Sequence, residues 1–249
     1  MEVILLGTAS AGGSAERDNT YLLFRRDDGS TMVDVGGNPL GKLKKLNIPL
    51  DEIDEVVFTH FHIDHIYGLP SLLWGMWIVG RTKPLTLYCS TDNEAWLNRW
   101  LDVIGAAEWP VKFDIRIVSH EWTEETVLKN NEDFVLSTFP SIHVEQTVGL
   151  KIDHNGKVLI YSADTMPNER IKNERKLDIL IHEATTAVEQ VPKHTSLKDV
   201  IHYYQIEQME KVVLVHLTDG EPYGEVIQGA DPAVKEKIKI GFDLMRFSV

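Results

Sequence analysis

His60-Phe61-His62-Ile63-Asp64-His65 is the stretch whose reading decides the fold. Immediately before it, positions 55–59 (Glu-Val-Val-Phe-Thr) carry the apolar, β-branched pattern of a buried strand. In an extended segment residues two apart point the same way, so His60 and His62 can both reach one metal ion. Asp64 and His65 fall where the chain is predicted to turn into a helix, which lets them face a neighbouring position. Imidazole and carboxylate donors suit zinc and similar first-row divalent ions. A surface histidine cluster would not explain why the run abuts an apolar strand.

Four ligands are too few for two ions, so the reading works outward to later strand ends. His143 follows a predicted strand at 134–139, Asp164 follows one at 158–161, and His216 ends one at 212–216. Each sits just past a buried strand, where a rigid sheet can aim a loop residue into a site. A lone histidine in such a place is usually structural, but the same relation recurring beside the first run points to a common site.

The remaining elements read as follows. Short β-type runs at 3–6, 21–24 and 31–34, separated by Gly12-Gly13 and Asp27-Asp28-Gly29, predict an opening antiparallel meander. Positions 40–46 have helical spacing, with Pro49 as a stop. The apolar stretch 69–79 predicts a buried helix, 85–88 a strand, and 91–104 a helix capped by Thr91 or Asp92. Strands are predicted at 113–118, 177–181 and 238–242, and a helix at 197–208. Positions 148–152 and 158–161 flank Asn155-Gly156, whose residue types supply the positive φ angles of a tight hairpin. Meanders come first and helices intersperse later in each half. An α/β fold of two stacked sheets covered by helices fits this better than a simple parallel sheet. No strong linker appears, so residues 1–249 read as a single domain.

Composition bounds the function. The 249 residues are 43% hydrophobic and 25% charged, the profile of an ordinary globular protein. The net charge of −13 opposes nucleic-acid binding, although bound divalent cations would offset part of it. Cys89 is the only cysteine, which excludes an internal disulfide and a Cys-rich metal site. The first apolar run is far too short for a signal peptide or membrane span, and Glu2 stands where a secretory signal would carry positive charge. A cytoplasmic protein with no membrane partner is expected.

The set His60-x-His62-x-Asp64-His65, His143, Asp164 and His216 resembles the ligand set of the metallo-β-lactamase superfamily. That resemblance implies its αββα four-layer sandwich, two packed mixed sheets covered by helices. It also implies that His60, His62 and His143 hold one metal ion, that Asp64, His65 and His216 hold the second, and that Asp164 bridges them. His rather than Glu at position 62, followed by Asp64-His65, departs from the di-iron oxygen-reducing branch and argues for hydrolysis. A finer resemblance is to the ribonuclease Z branch. It rests on Gly7-Thr8-Ala9-Ser10, Glu16-Arg17-Asp18-Asn19, Gly68-Leu69-Pro70-Ser71-Leu72-Leu73 and Gly80-Arg81-Thr82-Lys83-Pro84-Leu85. The most specific segments are Asp178-Ile179-Leu180-Ile181-His182-Glu183-Ala184-Thr185 and Lys193-His194-Thr195-Ser196. The resemblance implies that Glu183 orients His194, which then protonates the leaving 3′ oxygen. The mechanism it implies is two-metal hydrolysis: a bridging water, with Asp64 as acceptor of its proton, yields a hydroxide that attacks phosphorus. Zinc is the expected metal, with manganese as the alternative. His120, His154, His182 and His202 read as structural or surface residues. Dimerisation is common in that branch, and Trp74, Met76 and Trp77 would suit either a homodimer interface or a buried helix.

The sequence also departs from that branch. Bacterial-type ribonuclease Z inserts a long arm that grips tRNA between the equivalents of His143 and Asp164; here only positions 144–163 lie between them, and they read as a plain hairpin. The segment after His216, Leu217-Thr218-Asp219-Gly220, lacks the aromatic, Arg-containing pattern of the branch. Together with the charge, this argues against tRNA. It points to a phosphodiesterase for a small phosphate diester or a short RNA 3′ end. A hydrolase of lactones, thioesters or β-lactams is the competing reading, but it leaves Glu183 and His194 without a task. A non-catalytic metal-binding module would need fewer ligands and no open coordination position.

Overall fold

A computed structural model describes residues 1–144 and 146–249. Two compact units divide the chain, one formed by 1–7, 18–121 and 243–248, the other by 8–17, 122–242 and 249.

In the first unit the apolar runs become strands. β1 (Glu2–Gly7), β2 (Tyr21–Arg26) and β3 (Gly29–Val33) form the predicted antiparallel meander. Then follow α1 (Pro39–Leu46), β4 (Ile53–Val57), α2 (Ile63–Ile66), α3 (Leu69–Ile78), β5 (Leu85–Ser90), α4 (Glu94–Val103) and β6 (Ile115–His120). β3 to β6 pair in parallel, which requires the crossover segments between them. The C-terminal strand Met245–Ser248 pairs antiparallel with β1 and completes a seven-stranded sheet. Ile4, Leu23, Val56, Leu72, Met76 and Leu87 belong to one buried core that fixes the face on which each strand and helix packs.

The second unit carries β7 (Thr126–Asn131), β8 (Phe134–Pro140), β9 (Val148–His154), β10 (Lys157–Tyr161), α5 (Glu169–Lys172), β11 (Ile179–Glu183), α6 (Leu197–Tyr203), β12 (Lys211–Val215), α7 (Tyr223–Gln228), α8 (Pro232–Lys237) and β13 (Ile238–Ile240). β7 to β10 are antiparallel neighbours and β10 to β13 parallel ones, again a mixed seven-stranded sheet. Phe139, Ile160, Leu180, Leu197, Leu214 and Ile227 fill its core. The β9–β10 turn has Asn155 at φ 53° and Gly156 at φ 75°, the hairpin geometry the sequence predicts.

Several boundaries differ from the sequence reading. α1 ends at Leu46 as expected, but the left-handed Asn47 rather than Pro49 closes it. Thr91–Asn93 forms a tight 3-10 turn, closed by the Glu94 amide donating to the Thr91 carbonyl, so neither Thr91 nor Asp92 caps α4. The predicted helix at 197–208 breaks where Tyr204 turns extended, and Ile206–Gln208 resumes as a short 3-10 turn. α3 buries Leu69, Leu72, Leu73 and Met76, but Trp74 and Ile78 are exposed, so the apolar stretch is buried on one side only. β7 escaped prediction because it has no buried face to impose a period of two. Among the described residues, no helix is long and apolar enough to cross a membrane.

Candidate functional site

In the first unit the chemistry begins where β3 and β4 end. Asp34 leaves β3 with φ 61° and no solvent exposure. One of its carboxylate oxygens accepts the Thr59 amide at 2.8 Å. The other accepts the Thr59 hydroxyl and His65 Nδ1–H, each at 2.8 Å. Burial pushes the Asp34 carboxyl up, against the opposing pull of His65 and Thr59. With Nδ1 committed to Asp34, His65 presents Nε2, which lies 3.3 Å from Asp64 Oδ2. Thr59 Oγ1, having donated to Asp34, accepts His60 Nδ1–H at 3.0 Å, so His60 also presents Nε2. The His60 ring centroid lies 4.6 Å from that of His62 and 4.2 Å from that of His65. His62 is the extended residue that precedes α2, and the single turn of α2 carries Asp64 and His65.

The turn is held from behind. The Val35 amide donates to the His65 carbonyl at 2.7 Å, and the Gly68 amide donates to the Val35 carbonyl at 2.8 Å. A Cβ on Gly36 would overlap the Asp64 carbonyl oxygen, so only glycine lets this loop pass so close to the run at positions 60–65.

The second unit gathers the later residues. His143 follows β8 and its Nδ1–H donates to the Lys193 carbonyl at 2.8 Å, which turns Nε2 toward Asp164 Oδ2 at 3.8 Å. Asp164 follows β10, and its Oδ2 lies 3.3 Å from His216 Nε2 at the end of β12. Ligand atoms of Asp164, His194 and His216 lie within 4.8 Å of one another. The His194 ring centroid is 4.7 Å from that of His143 and 5.3 Å from that of His216.

Glu183, the last residue of β11, is 1% exposed and accepts four hydrogen bonds. Its Oε1 accepts His194 Nδ1–H at 2.9 Å and the Thr165 amide at 3.0 Å. Its Oε2 accepts the Thr185 hydroxyl at 2.8 Å and the Thr185 amide at 3.1 Å. All the lone-pair directions of the carboxylate are thereby used, and the His194 ring is held with Nε2 outward. Thr185 Oγ1 also lies 2.9 Å from His216 Nδ1 and 3.2 Å from His194 Nδ1.

Backbone strain concentrates here. Among the non-glycine residues with positive φ are Asp34, Ala163 beside Asp164, Lys193 beside His194, and His216 itself. Away from the turns, where Asn47 and Asn155 adopt it freely, such a conformation persists only where its surroundings hold it.

The first unit thus brings together His60, His62, Asp64 and His65, and the second brings together His143, Asp164 and His216 beside Glu183 and His194. The donor chemistry fits divalent metal: imidazoles with Nδ1 engaged and carboxylates within ion-pair distance of them. Sequence reasoning missed Asp34, Thr59, Thr165 and Thr185. Asp34 had a signal, a carboxylate ending a buried strand, whereas hydroxyl partners of this kind have none before the fold is known. His182 is fully buried, with Nδ1–H donating to the Glu183 carbonyl at 2.7 Å and Nε2 accepting the Tyr204 hydroxyl at 3.0 Å. Burial lowers its pKa, as it does for His120.

A family model described as "Anti-Pycsar protein Apyc1" matches residues 1–237. Ribonuclease Z of Pyrococcus horikoshii is 26% identical, over 87% of this chain and 86% of its own. The crystal structure of human tRNase Z, short form, aligns with a TM-score of 0.81 at 20% identity, over 100% of this chain and 99% of that one. The metallo-β-lactamase fold protein YhfI of Bacillus subtilis aligns at 0.80 with 17% identity, over 99% and 98%. These likenesses establish the metallo-β-lactamase fold.

Proposed function

The chain belongs to the family of anti-Pycsar protein Apyc1, within the metallo-β-lactamase superfamily near the ribonuclease Z branch, and from that premise we propose a metal-dependent phosphodiesterase for a small phosphate diester. The observation that carries this reading is the Glu183–His194 pair, with Nδ1 2.9 Å from a carboxylate whose acceptor positions are all filled. Ester substrates with an activated or strained leaving group need no such proton donor, whereas an alkoxide leaving a phosphodiester does.

We assign His60, His62 and His143 to one ion and Asp64, His65 and His216 to a second, with Asp164 shared, so that both units serve one hydrolase domain. Zinc or manganese suits these donors. When bound, such ions make water a nucleophile at neutral pH and compensate charge on the phosphoryl oxygens. Asp64 takes the proton of the attacking water. His194 holds a proton at Nε2 and delivers it to the departing oxygen as the phosphorus–oxygen bond breaks, while Glu183 fixes the ring and stabilises its charged form.

Positions 148–161 form only the short β9–β10 hairpin, and the −13 charge repels polynucleotides, which supports a small diester over tRNA. A short RNA 3′ end is the second reading, supported by the ribonuclease Z likeness along most of the chain. We further propose a cytoplasmic homodimer, to be checked by cell fractionation and by mass on size exclusion.

The test is hydrolysis of bis(p-nitrophenyl) phosphate by protein loaded with zinc or manganese, against chelator-stripped protein. The loaded protein should turn over and hold about two ions per chain. Inactivity with either metal, together with hydrolysis of a lactone or thioester, would overturn the reading.

A further inference from the structure

Thr185 stands between two groups with different tasks. Its hydroxyl proton goes to Glu183 Oε2 at 2.8 Å, so its lone pairs are left to accept. His216 Nδ1, at 2.9 Å, is then a donor, and the proton on Nδ1 leaves His216 Nε2 as the lone-pair nitrogen on the Asp164 side. His194 Nδ1 lies 3.2 Å from the same hydroxyl while donating to Glu183 Oε1 at 2.9 Å. One hydroxyl therefore orders a chain from His216 through Thr185 to Glu183 and back to His194. Each imidazole thereby turns its Nδ1–H into this chain, and the two rings are nearly parallel, with an interplanar angle of 14°.

We propose that Thr185 is a positioning residue that couples metal retention at His216 to the orientation of the proton donor His194. The proposal rests on the phosphodiesterase reading for its catalytic half, and on the hydrogen bonds alone for its metal half. A hydroxyl that only filled space would be replaceable by the isosteric valine. A hydroxyl that accepts from His216 and donates to Glu183 is replaceable only by serine. In T185V the His216 ring loses its acceptor, and Glu183 loses one of its four donors.

The experiment compares wild type, T185V and T185S in two measurements. The first is calorimetric zinc titration of chelator-stripped protein, which needs no turnover. The second is kcat on bis(p-nitrophenyl) phosphate, whose leaving group departs without a proton, against diphenyl phosphate, whose leaving group needs one. T185V should bind zinc about 10–100-fold more weakly, as removal of a partner behind a metal ligand does. At saturating zinc it should lose about 100-fold in kcat on diphenyl phosphate and far less on the nitrophenyl ester. T185S should restore both. Equal losses on the two esters, or zinc binding in T185V like that of wild type, would overturn the coupling. If wild-type protein cleaves neither ester, the phosphodiesterase reading fails by itself, and unchanged zinc affinity in T185V still decides against the metal half.

Discussion

Glu183 shows at the scale of one residue how a buried carboxylate becomes a fixed part. Two donors converge on each of its oxygens, so no rotation about the last side-chain torsion relieves a mismatch. Glu183→Gln keeps the shape but turns one oxygen into an NH2 group facing donors. A buried donor left without an acceptor costs about 1–3 kcal/mol, so the variant should unfold at lower urea concentration. It should also lose about 100-fold in kcat on diphenyl phosphate, since His194 loses the group that sets its orientation. Urea unfolding and steady-state kinetics check the two halves, and an unchanged midpoint would mean that the two donors facing the new NH2 group find other acceptors. The histidines follow the same logic. His60, His65, His143 and His194 each engage Nδ1 with a hydroxyl, a carboxylate or a carbonyl, leaving Nε2 as the working atom.

Elements decide where these residues go. β3 and β4 run parallel, as do β10, β11 and β12, so Asp34 and His60 leave one sheet edge while Asp164, Glu183 and His216 leave another. Parallel pairing collects strand ends, and loops at the carboxyl ends of strands are where α/β proteins place chemistry. Gly36 makes the first collection work, because the loop after β3 passes against the backbone of Asp64. Gly36→Ala touches no ligand side chain, yet it forces either that loop or α2 to move. We expect a stability loss of about 1–3 kcal/mol, as overpacking brings, and weaker zinc binding, read by thermal melting and by metal titration. A variant that melts lower but binds zinc normally would show that the loop yields and α2 does not. Much of this was legible in advance. The apolar runs gave the strands within two or so residues, and the spacing of His60, His62, Asp64 and His65 pointed to a turn that gathers imidazole and carboxylate groups, because both signals are local. Thr185 and Asp34 were not legible as partners, since each acts on residues brought to it by folding, at separations of 31 positions in the pairs Thr185–His216 and Asp34–His65. The end of α1 at Leu46 was read, but Asn47 as its cap and the 3-10 turn at Thr91–Asn93 were missed for a different reason: several residues there compete as stops or caps, and backbone hydrogen bonds choose among them.

Stability and charge belong to the whole molecule. His182 is buried as a neutral ring, with its pKa lowered by desolvation. Above about pH 6.5 the folded and unfolded chains both hold it neutral; as pH falls through that value the unfolded chain takes a proton that the folded one refuses. Stability is therefore present above the unfolded pKa and is lost as pH falls toward the folded one, by up to about 1.4 kcal/mol per pH unit for this group. His120 acts in the same direction. Urea midpoints of chelator-stripped protein from pH 8 to pH 5 should fall more steeply for wild type than for His182→Gln, and parallel curves would remove His182 from the account. Charge bears on the substrate. The molecule carries −13, and several basic side chains that could form an RNA-binding patch are already committed: Lys151 to Glu174, Lys157 to Glu210, and Arg170 to both Glu125 and Glu174. Binding of a polynucleotide gains its affinity from cations that neutralise phosphates, and pairing them internally withholds that gain. Transfer RNA added at low ionic strength, where any such attraction is strongest, should leave hydrolysis of bis(p-nitrophenyl) phosphate unchanged, and a 3′-extended tRNA should emerge uncleaved. Inhibition that appears at low salt and fades as salt is raised would show that RNA reaches the site, and would move the substrate from a small diester to an RNA end.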